Sequence, residues 1–418
     1  MNLIDLTLRS MFNRRLTLAL TVFSLALSIT LLLAVEKVRG DARSSFTNTI
    51  SGTDLLVGAR SGSVQLLLYS VFRIGNATNN ISWESYEKIR SHSTVQWAIP
   101  ISLGDSHRGF RVMGTSQNYF SDYSYGAKQS LAFAKGKAFD EVFDTVIGAE
   151  VAAQLGYPLG REIVLAHGLA DVEFARHDDK PFTIVGILAP TGTPVDRTIH
   201  VSLEGIEAMH VDWQSGTRSS NTISAEEALQ MDLQPTQITA FMLRLKSKIK
   251  VFAMQRAVNE FREEPLLAVL PGVALQELWD LVAVGENALL IVSGFVAVVS
   301  FIGLLTGVLV SLNERRREMA ILRSLGARRY QIALLLLSES LLTTLMGIIL
   351  GIAMFYMLTI AAQPIAQASF GLNIPPSLPG TRDVVLLAAF LLAGLVSGAL
   401  PAWRAYRNSL HDGMTPRQ

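Results

Sequence analysis

The sequence predicts a multi-pass membrane protein, with four transmembrane α-helices and a large mixed α/β periplasmic domain inserted between the first and second spans. Three observations predict this class. Half of the 418 residues are hydrophobic and only 17% are charged, a balance unusual for a soluble chain. The apolar residues gather into four long runs, 16–35, 287–312, 332–362 and 384–403, interrupted by a single charge, Glu339. Basic residues crowd the flanks of those runs, while the acidic ones lie mostly between the first and second. The net charge of +1 thus conceals an asymmetry that fits membrane topology and argues against nucleic acid as a partner. The chain has no cysteine, which excludes disulfides, thiolate metal ligands and thiol catalysis.

Taken in order, residues 1–15 carry an apolar stripe of Ile4, Leu8, Met11 and Phe12, with Asp5, Arg9 and Asn13 away from it. An interfacial helix in the cytoplasmic headgroup layer is expected, and a plain extension of the first span is the simpler alternative. Residues 16–35 cross the bilayer, because about 20 uncharged residues at 1.5 Å each cover roughly 30 Å of hydrocarbon. A cleaved signal peptide would share the basic start at Arg14 and Arg15 but carry a shorter apolar stretch. Orientation follows from the arginines: Arg9, Arg14 and Arg15 precede the first span, six lie between 315 and 329, and Arg404, Arg407 and Arg417 follow the fourth. By the positive-inside rule, both termini, the loop 313–331 and the tail 404–418 are expected to face the cytoplasm. The loop 363–383 holds one basic residue, Arg382, with four prolines, and faces the periplasm together with the insert 36–286.

Within the insert, 95–102, 110–113, 163–166, 182–188 and 240–245 are short runs rich in β-branched and aromatic residues, bounded by Gly, Pro or Asp, and are expected as strands. Residues 82–92, 148–155, 203–210 and 250–263 have helical spacing, with Ser202 as an N-cap. A second lobe is expected over about 133–213, followed by a polar, mobile loop over 211–234.

The loop 313–331 is the most informative segment. From Asn313 to Leu325 it allows about three helical turns, with Met319, Ile321, Leu322 and Leu325 giving an apolar side and Arg315, Arg316 and Arg323 a charged one. Glu314, Arg317 and Glu318 lie in the same stretch, and Gly326 is a natural left-handed stop. Such a helix suits a groove on a cytoplasmic partner. The alternative is a solvated turn whose arginines only fix topology.

The string Glu318-Met-Ala-Ile-Leu-Arg-Ser-Leu-Gly-Ala327, followed by Glu339, Gly347 and Gly351 and by Gly398-Ala-Leu-Pro-Ala-Trp-Arg-Ala405, resembles the membrane half of the FtsX-like permease superfamily, which includes the MacB and LolC/LolE types. In the insert, Gly148-Ala-Glu-Val-Ala-Ala-Gln-Leu-Gly156, Leu159-Gly160 and Phe182-Thr-Ile-Val-Gly-Ile-Leu188 resemble the MacB-type periplasmic core. Each motif alone is weak, and their order and membrane placement carry the weight.

The resemblance implies a type VII ABC transporter permease of a bacterial inner membrane. Such a subunit passes the ATP-driven motion of a cytoplasmic ATPase dimer of LolD or MacB type to its periplasmic domain, to extrude or move a substrate. The alternative is a non-transporting mechanotransmitter that activates a periplasmic partner such as a cell-wall hydrolase. ATPase contact is expected at Glu314, Arg315, Arg317, Glu318, Met319, Ile321, Leu322, Arg323, Leu325 and Gly326. A phosphate-cradling Gly-x-x-x-x-Gly-Lys-Ser/Thr string does not occur in these 418 residues, so the ATPase is expected on a separate chain and the permease itself is expected to be non-catalytic. A second permease copy or homologue, a periplasmic carrier or adaptor, and membrane lipids are the other expected partners.

Three further features carry alternatives. Glu339 lies about 12 Å into the third run by helical rise, near enough to the cytoplasmic side for structural pairing or for a part in coupling. Leu66, Leu67, Leu68, Tyr69 and Phe72 form an apolar patch too short to span, which either lines a lateral entrance or packs into the core. His177-Asp178-Asp179 offers metal-ligating types, but three adjacent residues seldom converge on one ion, so neither a metal nor a cofactor is expected.

Overall fold

The computed structural model describes residues 15–167, 179–214, 217–218, 223–314, 324, 327–370 and 379–407. The chain divides into two compact units, Met1–Asp41 with Ala283–Gln418, and Ala42–Val282.

Each apolar run lies within one long helix: α1 (Arg15–Thr49), α2 (Pro271–Glu314), α3 (Arg329–Phe370) and α4 (Thr381–Arg407). Their apolar windows, Arg15–Gly40, Pro271–Gly307, Arg329–Gln363 and Thr381–Trp403, are each long enough to cross a bilayer. Many of these side chains are exposed, including Phe295, Ile349, Met357 and Leu392. Outward apolar faces suit a unit whose solvent is lipid. The residues turned inward form two clusters, one around Leu25, Leu304, Leu336 and Ala402, the other around Ile29, Leu33, Ile348 and Phe390.

The inserted unit is built on one eleven-stranded sheet. Its strands are β1 (Leu55–Ala59), β2 (Val95–His107), β3 (Phe110–Thr115), β4 (Phe133–Gly136), β5 (Asp144–Ile147), β6 (Glu162–Ile163), β7 (Ala166–His167), β8 (Phe182–Leu188), β9 (Thr198–Ser202), β10 (Ala240–Leu245) and β11 (Leu266–Val269). The order is β11-β1-β10-β2-β3-β9-β5-β8-β4, with β7 added to β2 and β6 to β8. The β3–β9 and β5–β8 pairs are parallel; the other pairings are antiparallel. The β2–β3 hairpin turns on Arg108 and Gly109, both at positive φ (48° and 81°), the mirror-image turn that matches strand twist.

Alternation along the strands sorts the core. Leu56, Ile99, Met113, Val146 and Met242 enter one cluster that runs across the sheet, while their neighbours Leu55, Val57, Ala98 and Leu243 enter a second. A third cluster, with Val112, Ile147, Ile184, Ile199 and Val201, covers the other half. The residues expected as a second lobe are therefore the far half of the same sheet, because β9 pairs in continuous register with β3 from Thr198↔Arg111 to Ser202↔Thr115.

Helices Trp83–Arg90, Ala149–Leu155, Leu203–His210 and Val251–Asn259 fall where helical spacing predicts them. Ser202 caps the third by accepting from Gly205 N at 2.9 Å. The run 163–166 is divided between β6 and β7, and Val164 O between them takes a hydrogen bond from His107 Nδ1 at 2.6 Å. In the region expected as a loop, Trp213–Gln214 pairs with Thr217–Arg218, and the helix Ala225–Ala228 has a capping box of Ser224 and Glu227. Residues 215–216 and 219–222 lie outside the described set.

Candidate functional site: the helix seams of the membrane unit

Small and hydroxyl-bearing residues line three helix seams. Between α3 and α4, Ser340 and Thr344 face Gly398 and Gly394: a Cβ on Gly394 would lie 2.2 Å from Thr344 Oγ1, and one on Gly398 2.6 Å from Ser340 Cβ. Ser340 Oγ donates to Gly394 O at 2.7 Å, and Thr344 Oγ1 to Ser340 O at 2.9 Å. The two backbones approach this closely because neither glycine has a side chain, the small-xxx-small arrangement of membrane helices.

Between α1 and α3, Gly347 lies against Leu25 and Gly351 against Ile29, where an added Cβ would stand 2.8 and 2.9 Å from their Cβ atoms. Thr30 Oγ1 donates to Ala26 O at 2.8 Å and to Gly351 O at 3.0 Å. Between α1 and α2, Ser28 Oγ and Ser300 Oγ share a 2.6 Å hydrogen bond, and Ser24 Oγ stands 3.1 Å from Ser300 Oγ. Helix α1 is thus the hub, with seams to both α2 and α3.

The pairings also set direction. Leu25–Gly347 and Ile29–Gly351 advance together, so α1 and α3 are parallel; Ser24–Ser300 with Ser28–Val296, and Ser340–Gly398 with Thr344–Gly394, run oppositely. The start of α1, the end of α2, the start of α3 and the end of α4 therefore share one end of the unit. Arg15, Arg328 and Arg329 lie at that end. At the other end, Glu36 Oε1 meets Arg382 Nη1 and Arg39 Nε meets Glu286 Oε2, each at 3.0 Å. Arg382 is 79% exposed, so solvent screens its pair and the contact orients more than it stabilises.

Two family models cover the chain: the MacB-like periplasmic core domain matches residues 18–261 and the FtsX-like permease C-terminal domain matches residues 290–410. The chain belongs to the FtsX-like, MacB-type ABC permease family. The macrolide export ATP-binding/permease protein MacB of Azoarcus sp. (strain BH72) is 24% identical over 417 residues, covering 93% of this permease and 55% of that protein. MacB of Bdellovibrio bacteriovorus is 24% identical over 377 residues, 87% of this chain and 54% of the relative. The permease spans about half the length of these relatives. The crystal structure of the periplasmic region of MacB from Actinobacillus actinomycetemcomitans aligns with a TM-score of 0.34 and 11% identity, over 55% of this chain and 94% of that one.

Of the permease residues singled out from sequence, Glu314 ends α2, and only its backbone is described. Arg315, Arg317, Glu318, Met319, Ile321, Leu322, Arg323, Leu325 and Gly326 lie outside the described residues, as does the stripe in 1–14. Glu339 is 9% exposed on α3, and its carbonyl accepts from Thr343 Oγ1 at 2.8 Å. Leu66, Leu67, Tyr69 and Phe72 are buried in the outer domain, with Leu68 packed partly against the same cluster. In this conformation the patch packs into that core, because the helix Ser63–Ser70 lays it against β1 and β10. His177 and Asp178 lie outside the described set; Asp179 pairs with Lys180 at 3.3 Å, and Lys180 with Asp212 at 2.7 Å, the latter two with no exposed side-chain surface. Among the described residues no group of three or more His, Asp or Glu side chains is arranged to hold a metal ion.

Sequence reading noted Gly347, Gly351 and Gly398 but missed Gly394, Ser340, Thr344 and the Ser24–Ser28–Ser300 cluster. Spacing of small residues by four within an apolar run, as in 340/344 and 394/398, is the signal that finds them.

Proposed function

We propose that this permease passes ATP-driven motion of a cytoplasmic ATPase, lying outside these 418 residues, to its periplasmic domain, and so extrudes or moves a substrate. Residues 1–15, 313–331 and 404–418 face the cytoplasm, and 36–286 and 363–383 the periplasm. The single observation that carries this reading is the pattern of seams. The loop 313–331 joins α2 to α3, both are pinned to α1, and α3 is pinned to α4 through Ser340, Thr344, Gly394 and Gly398. A push on that loop thereby displaces the membrane unit as one body, since packed seams of small residues are bistable and not freely deformable.

In this scheme the apolar side of 319–325 docks in a groove of the ATPase and the arginines meet acidic neighbours. Glu339 sits on the loop side of α3, where it couples loop and bundle. Two permease copies, identical or homologous, act together over an ATPase dimer.

The experiment is co-purification from native membranes with identification of every bound protein and ligand. Recovery of an ABC ATPase with a bound substrate is expected. Recovery of a periplasmic cell-wall hydrolase and no ligand would contradict transport.

A further inference from the structure

The core of the outer domain contains a charge that the described residues around it leave unmatched. Arg73 follows the helix Ser63–Ser70 and adopts a φ of 61°, a region that non-glycine residues rarely occupy. Its guanidinium lies over Met113, with Nη2 2.6 Å from Sδ, while Nε and Nη1 are buried and have no hydrogen-bond partner among the described residues. An arginine cannot shed its proton to escape burial.

Register gathers other groups around the same methionine. Arg111 is two residues earlier on β3 and so on the same face, and its guanidinium is held by Asn76 Oδ1 at 3.0 Å and Gly75 O at 2.7 Å. His200 is the partner of Met113 across the parallel β3–β9 pair. Tyr119 stacks on His200 with ring centres 5.3 Å apart, and both side chains have no exposed surface. The Tyr119 hydroxyl and His200 Nε2 are also buried with no partner among the described residues. Asp196, whose charge reaches Tyr119 and Tyr123, has its oxygens engaged by Thr191 N, Thr191 Oγ1 and Gly192 N.

The chemistry of the unmatched atoms is specific. Arg73 offers two donor nitrogens, Nε and Nη1, and Tyr119 a donor hydroxyl. His200 Nδ1 lies 3.2 Å from Val146 O, and a carbonyl can only accept, so Nδ1 carries the proton. Burial, then the nearby Arg73, push the imidazole down to about 3, so the ring is neutral and Nε2 is a bare acceptor. These donors and the one acceptor, on neighbouring buried side chains and without partners among the described residues, match an anion that itself carries an O–H.

We propose that Arg73, Tyr119 and His200, with Arg111 beside them, form a buried site for a protonated oxyanion of the phosphate class. The donors take its charged oxygens and His200 Nε2 accepts its O–H. Sulfate has the same size and no proton at neutral pH, so His200 excludes it. Neither the occupant nor its test depends on the transport reading.

The test uses the full chain purified in detergent, titrated calorimetrically with inorganic phosphate and, separately, with sulfate at matched ionic strength. Phosphate is expected to bind at least tenfold tighter than sulfate, and Tyr119→Phe, which deletes only the unpartnered hydroxyl, to weaken phosphate about tenfold. Arg73→Met is expected to abolish phosphate binding and to raise the phosphate-free thermal midpoint, because it removes an unmatched buried charge. Equal binding of phosphate and sulfate, no binding of either, or an Arg73→Met variant that loses stability equally with and without phosphate would each overturn the site.

Discussion

Replacing Gly394 by alanine sets a Cβ 2.2 Å from Thr344 Oγ1 and 2.8 Å from Thr344 Cβ, where ordinary carbon contacts begin at 3.4 Å. Thr344 has no exposed surface, and turning its side chain away breaks the 2.9 Å bond from Oγ1 to Ser340 O. Parting α3 from α4 by about 1 Å instead stretches the Ser340–Gly394 hydrogen bond. Hydrogen bonds between membrane helices average about 0.6 kcal/mol and reach about 1.7, and overpacking costs about 1–3 kcal/mol. The sum is a loss of about 1.6–4.7 kcal/mol. The assay is reversible unfolding of the purified full chain in mixed micelles, followed by a double-mutant cycle with Thr344→Ala. That change removes Oγ1 and Cγ2 but leaves Cβ, so it should return part of the loss. Gly303→Ala is the control, because a Cβ there meets nothing within 4 Å. A Gly394→Ala protein within about 0.5 kcal/mol of the parent, or one indistinguishable from Gly303→Ala, would refute the seam.

The remaining predictions address other parts of the molecule. Leu322→Asp with Leu325→Asp should abolish pull-down of the ATPase while leaving membrane insertion intact; surviving pull-down would remove the docking role of the loop. Ser300→Ala should cost about 0.5–1.5 kcal/mol through the lost Ser28 and Ser24 contacts, and no measurable change would mean the cluster does not hold α1 to α2. His200 titrates at about 3 when folded against 6.5 for an ordinary histidine, so its neutral burial favours folding above 6.5 and loses that advantage as pH falls from 6.5 toward 3. Acidification from pH 7 to 4.5 should therefore cost about 2–3 kcal/mol that His200→Leu does not lose; parallel pH profiles of the two proteins would show that His200 is not buried neutral.

The four spans were legible because hydrocarbon imposes a crude rule, a long uncharged run, that needs no tertiary information. Strands 182–188 and 240–245 and the helix 203–210 were legible for a similar reason: β-branched runs and a serine cap act locally. The single sheet was not. Joining residues 133–213 to the rest depends on β9 choosing β3 as its neighbour across a long stretch of chain, and no local pattern encodes that choice. The apolar patch 66–72 could be read as core or as entrance, because helical spacing alone cannot say what its apolar side meets. The seams were half legible: Gly347 and Gly351 stood out, whereas Ser340 and Thr344 look like ordinary polar tolerance in a span until Gly394 and Gly398 are seen opposite them. Arg73 gave no signal at all. Its surroundings come from distant segments, and only burial shows that its charge is unmatched among the described residues.

The most direct test of the transmission account is a distance across the membrane unit and the outer domain, measured with and without ATP. The chain has no cysteine, so Lys248→Cys in the outer domain and Pro379→Cys before α4, both exposed, take spin labels uniquely. In the complex with its ATPase, trapped by a non-hydrolysable ATP analogue, pulsed electron spectroscopy is expected to show a shifted distance distribution, and the Leu322→Asp, Leu325→Asp variant is expected to lose that shift. An unchanged distribution in the parent complex, or a shift that persists in the variant, would contradict the claim that this loop drives the periplasmic domain.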